Sequence, residues 1–76
     1  PQPRKDLVFF SVPPGFALIA DVRIASDASI LNKPPFIVEF EAHDGMRQVR
    51  LSPRRFRELG VLDALLTGRP IPIPKP

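Results

Sequence analysis

Apolar and polar positions along this chain fall into four runs with strand character and one with helical spacing. "LVFFSV" (residues 7–12) is a continuous apolar, β-prone run, and the "PPGF" after it suits a turn centred on Pro14 and Gly15. "ALIADVRIAS" alternates, with Leu18, Ala20, Val22 and Ile24 on one face and Asp21 and Arg23 on the other, as expected of a half-buried strand. "DASILNKPP" reads as a loop longer than a hairpin requires. "FIVEFEAHDGMRQVRLS" then carries Asp44-Gly45, the strongest short signal for a two-residue hairpin turn. Counting outward from that dipeptide sets Glu39 against Arg50 and Val38 against Leu51, and it gathers Phe36, Val38, Phe40, Val49 and Leu51 on one apolar face.

A helix follows directly. Ser52 is an N-cap, and Pro53 suits the first helical position, where its missing N–H has no intrahelical partner to lose. Phe56, Leu59, Leu62 or Asp63, and Leu66 recur at helical spacing, and Gly68 followed by Pro70 is a stop signal. Gly60 inside this helix costs about 1 kcal/mol relative to alanine, so the helix either kinks there or splits into "PRRFREL" and "VLDALLT". The expectation is an α+β fold: antiparallel strands over 7–12, 17–25, 36–42 and 46–51, with a C-terminal helix over 53–67 on the apolar face. Around a single domain spanning 7–68 lie a flexible Pro-rich start (1–6) and an extended Pro-rich tail or linker (69–76). The tail's alternating prolines forbid a central strand. It is either a spacer or an arm that lays Ile71 and Ile73 on a neighbouring surface.

Composition narrows the function classes. At 76 residues a single core is marginal, which favours help from a partner chain or a homodimer. With no cysteine and one histidine there is no disulfide and no thiolate or histidine metal cluster, so we expect no metal, no cofactor and an intracellular, cytoplasmic protein. No apolar run approaches the roughly 18 residues that cross a bilayer, and "PQPRKD" lacks a signal-peptide core, so no membrane partner is expected. A first residue other than Met is expected of a processed chain or of a piece of a longer one. The net charge of +3 is ordinary, but its distribution is not: five of the eight arginines lie between residues 47 and 57.

Those arginines are the candidate chemistry. Arg54, Arg55 and Arg57 occupy the first turns of the helix, where its dipole favours acids, so each costs a few tenths of a kcal/mol unless an anion answers it. With Arg47 and Arg50 beside them, and Arg23 and Lys33 as outlying candidates, they would suit nucleic-acid phosphates. The same charges also make an ordinary solvated face. Catalysis has little support. His43 flanks a turn with nothing to orient it, Glu39 is answered by Arg50 in the expected register, and there is neither a phosphate loop nor a nucleophile motif. The expectation is a protein that is not an enzyme and has no small-molecule substrate. Because neighbours on a strand alternate, Phe9 and Phe10 cannot both point inward, and the outward one is free for base stacking or a protein contact.

The run "FIVEFEAHDGMRQVRLSPRRFREL" (residues 36–59) resembles the C-terminal half of the positive transcriptional coactivator family of single-stranded-DNA-binding domains. The likeness lies in "VRLSP", where a strand runs into a helix, and in Phe56 and Leu59 at the aromatic and leucine positions. It implies a four-stranded sheet with a dimerising helix and a curved sheet that grips single-stranded DNA in transcription regulation. This chain departs from that pattern at Glu41, where the family is basic, at Arg47-Gln48 in place of Lys-Gly, and in lacking tryptophan and tyrosine. Two functional readings stand: first a nucleic-acid-binding module using the arginines, dimeric through its helix with Leu62 and Leu66 as interface candidates, and as the alternative a protein–protein adaptor that docks through the hairpin, the exposed Phe9 or Phe10, and Ile71 and Ile73.

Overall fold

A computed structural model of the chain describes residues 12–26 and 34–75. Its elements in chain order are β1 (Phe16–Ile24), β2 (Phe36–Ala42), β3 (Gly45–Leu51), helix α1 (Pro53–Glu58), helix α2 (Val61–Thr67) and β4 (Ile71–Pro72). Among the described residues the strands form one antiparallel sheet in the order β3-β2-β1-β4, and both helices lie against the same face, an α+β fold. The expected strand over 7–12 lies outside the described residues except for Val12, as do Phe9, Phe10 and Lys33. The fourth strand of the described sheet is β4, formed by the proline-rich tail.

The core is built on β2, whose even-numbered residues point at the helices. Val38 and Phe40 are fully buried, and they pack with Leu51 from β3, Phe56 from α1, Val61 and Ala64 from α2, and Ile71 from β4. Phe36 extends this layer by stacking on Phe56, with ring centroids 4.0 Å apart and planes 17° from parallel. Burying two such rings is worth several kcal/mol, which fixes α1 over the end of the sheet.

Three local expectations are corrected. The hairpin closes one position earlier than the Asp44-Gly45 signal implies: Ala42 pairs with Gly45, Glu39 with Gln48, and Arg50 with Ile37 rather than with Glu39. A two-residue turn on Asp44-Gly45 needs positive φ at both, whereas Asp44 keeps a negative φ and Gly45 alone turns positive, at 127°. His43 and Asp44 therefore occupy the turn. The pairing moves by two residues in total, so every side chain keeps its expected face.

The second correction is in β1. Its register on β2 slips between Ile19 and Asp21, so Ala20 is an extra residue and the alternation changes phase there. Ala17 and Ile19 face the helices before the bulge, and Val22 and Ile24 after it, while Leu18, expected inward, pairs with Glu41 on the other face. Third, the tail returns to the domain. Ile71 pairs with Ala17 and is 1% exposed, and Ile73 donates its N–H to the Gly15 carbonyl at 2.9 Å. Alternating prolines allow this because N–H groups on an edge strand point alternately inward and outward: the isoleucines supply the inward donors and the prolines sit where none is needed. Ile71 and Ile73 thus pack against this chain's own core instead of a neighbour's surface.

Candidate functional site

Reading upward from the strand-to-helix joint, Ser52 adopts the extended backbone of an N-cap and its Oγ accepts from the Arg55 N–H at 3.2 Å, with Pro53 opening the helix. α1 buries Phe56 and turns Arg54, Arg55 and Arg57 to solvent. Gly60 then adopts the left-handed conformation, φ 66° and ψ 39°, which ends α1 and serves as the N-cap of α2. Of the two outcomes the sequence left open at Gly60, the helix splits. The break resets the helical phase: Val61 and Ala64 face the sheet, so Leu62, Leu65 and Leu66 are turned outward, with Leu66 84% exposed. In an unbroken helix Leu62 and Leu66 would have continued the Phe56 and Leu59 stripe.

The arginines do not form one patch. Arg47 and Arg50 are three apart on a strand, so they point to opposite faces, Arg47 beside Phe40 on the helix side and Arg50 beside Ile37 on the other. Arg47 is held by Asp44 at 2.7 Å, Arg54 by Glu58 at 3.3 Å and Arg23 by Asp21 at 3.7 Å, all exposed pairs. Arg55 and Arg57 make no ion pair among the described residues. On the face of the sheet away from the helices, Glu39 and Glu41 occupy the central strand between Arg23 and Arg50 at one end and Leu18 and Met46 at the other. Acids at the centre of that face disfavour a phosphate backbone lying across it.

Two clefts meet at Phe56. One, of about 760 Å³, lies between Pro34, Phe36, Pro53 and Phe56, with Arg54 and Arg57 on its rim. The other, of about 330 Å³, runs from Phe56 and Arg57 past Gly60 to Leu62 and Asp63. They share Phe56 and Arg57 as lining residues, the wider one reaching the Phe36 ring and the narrower one Leu62 of α2. Neither cleft could be foreseen from the sequence. The spacing of Leu62 and Leu66 did mark them, although without the break at Gly60 it gave no reason for them to face out.

A third cleft, of about 650 Å³, lies beside the hairpin turn and is lined by Pro14, Phe16, His43, Asp44, Arg47 and Ile73. There His43 Nε2 donates to the Val12 carbonyl at 2.8 Å, which ties the turn to the chain entering β1. The Arg47 guanidinium, by hydrogen bond and charge, holds the Asp44 carboxyl below the usual carboxylate range. A carboxylate kept ionised in this way is a poor proton donor at neutral pH. Among the described residues no three His, Asp or Glu side chains are placed to hold a metal ion, and no helix is long and apolar enough to cross a membrane. No protein-family model, curated protein or solved structure matches the chain.

Proposed function

We propose that this chain is a non-catalytic binding module that docks on another protein through α2. One observation carries the reading: α2 buries its small residues, Val61 and Ala64, and presents Leu62, Leu65 and Leu66 to solvent. A seven-residue helix gains its stability from packing rather than propensity, so leaving three leucines unburied on it forgoes about 1.5–3 kcal/mol per fully buried side chain. A partner surface recovers that free energy. Docking thereby moves from Ile71 and Ile73, which pack into the chain's own fold, to Leu62 and Leu66.

The nucleic-acid reading stands second, and what favours it is that Arg55 and Arg57 are exposed and make no ion pair among the described residues. It gains little from the sheet, where the coactivator resemblance would put the binding face, because Glu39 and Glu41 lie at its centre. The two readings separate in an NMR titration of isotope-labelled protein with two probes: a helical peptide carrying leucines at i, i+3, i+4 and i+7, and a short oligothymidylate. Docking through α2 shifts the amides of residues 61–67 with the peptide and leaves them unmoved by the oligonucleotide. Shifts confined to residues 54–57, produced by the oligonucleotide alone and weakening steeply with salt, would replace the first reading with the second.

A further inference from the structure

The geometry points to an acidic amphipathic segment as the partner of this surface, its apolar side chains entering the clefts beside Phe36, Phe56 and Leu62 and its carboxylates meeting Arg57. This inference rests on the docking reading above and specifies the chemistry of what docks.

The floor of these clefts and their rim make different demands. The floor is apolar: Pro34, Phe36 and Pro53 in the wider cleft, Val61 with Leu62 in the narrower one, and Phe56 in both. Beyond Leu62 the apolar path continues along α2 to Leu66, one helical turn further on. Apolar side chains set out in this order suit several apolar anchors on one face of a segment, as in a helix laid into a groove.

The rim decides the sign of the partner's charge. Of the charged side chains, Arg54 and Arg57 line the wider cleft and Arg57 and Asp63 the narrower one. Arg54 is engaged by Glu58 at 3.3 Å and Asp63 by Arg69 at 3.1 Å. The charge left over is Arg57, which lines both clefts and makes no ion pair among the described residues. A partner with carboxylates flanking its apolar anchors answers that surplus, whereas a basic partner would meet it with like charge.

The same surplus disfavours a second copy of this chain. Pairing two α2 helices about a two-fold axis at the narrower cleft would bring Arg57 of one copy toward that of the other, with Asp63 already committed to Arg69 within each chain. The leucines favour such a pair and the arginines oppose it. An acidic partner satisfies both.

The test is fluorescence anisotropy with two labelled peptides that share one leucine pattern, spaced i, i+3, i+4 and i+7, and differ only in polar residues, glutamate in one and lysine in the other. The full chain is expected to bind the glutamate peptide about tenfold more tightly than the lysine peptide at low salt, a preference that shrinks as salt is added. Arg57→Glu, at an exposed position, should abolish or invert the preference without changing the thermal midpoint appreciably. Leu66→Gln should weaken both peptides together. Equal binding of the two peptides would overturn the acidic-partner inference and leave docking through α2 intact. Binding of neither peptide by the folded chain would overturn both. Self-association in sedimentation at the expense of peptide binding would assign the surface to a second copy and overturn the inference.

Discussion

α1 and α2 are adjacent, nearly equal in length and separated only by Leu59 and Gly60, yet they distribute their side chains in opposite ways. α1 buries its one large apolar residue, Phe56, and gives its surface to arginines and Glu58. α2 buries Val61 and Ala64 and gives its surface to leucines. The first arrangement is what a short surface helix needs in order to stay attached to a sheet. The second is what a helix needs when its outer face has somewhere else to go. Folding therefore accounts for α1, and the proposed docking is what would account for the exposed leucines of α2.

Substitutions sharpen this contrast, beginning with the largest. Phe56→Ala removes the ring that stacks on Phe36 and is expected to cost about 3–5 kcal/mol. A domain of this size has little more than that to lose, so the variant should be largely unfolded by circular dichroism at room temperature. If it melted like the parent, α1 would not be anchored as described. Gly60→Ala comes next, at about 1–2 kcal/mol, because the left-handed backbone at this position is strained for any residue with a Cβ. The added Cβ would also lie 3.1 Å from the Arg69 guanidinium, a flexible neighbour that can move aside. Gly60→Asn should recover part of that loss, since asparagine tolerates the conformation, and the two urea midpoints compare them directly.

Ser52→Ala deletes the cap on the Arg55 N–H and should lower stability by about 1 kcal/mol, read from the same urea midpoints. The smallest effect concerns pH. Asp44 has its pKa lowered by Arg47, so the turn's ion pair contributes fully above the ordinary aspartate pKa, near about 4, and is lost as pH falls through the lower, folded value. The difference in thermal midpoint between the parent and Asp44→Asn should therefore be constant from neutral pH down to about pH 5 and close in more acid solution. A difference that changed between pH 6 and 8 would contradict that assignment.

Much of this molecule was legible where local chemistry dominates. Ser52-Pro53 marked the start of α1, Pro14-Gly15 the reversal before β1, and the alternation around Phe36, Val38 and Phe40 the buried face of β2. What escaped depended on choices the chain settles only in three dimensions. The bulge at Ala20 leaves no trace in composition but changes which of Leu18 and Ile19 faces the helices. The turn at His43-Asp44 won over Asp44-Gly45 because a positive φ at Gly45 alone is less costly than one at Asp44 as well. The tail joined the sheet because its prolines fall at the outward positions of an edge strand, a pattern that an extended spacer shares.

The candidate site was legible in part. Leu62 and Leu66 could be named from their spacing, but their exposure follows from the phase reset at Gly60. The arginines could be named too, and the strand period already required Arg47 and Arg50 to part company. Their pairing with Asp44 and Glu58, and the two clefts that share Arg57, needed coordinates.

The most direct measurement is the urea unfolding curve of a variant carrying Leu62→Gln, Leu65→Gln and Leu66→Gln together. With all three side chains facing solvent, the unfolding free energy should stay within about 0.5 kcal/mol of the parent for each substitution, with an unchanged slope. A loss of several kcal/mol, comparable to that for Phe56→Ala, would mean that these leucines hold the fold together and are not a surface kept for a partner.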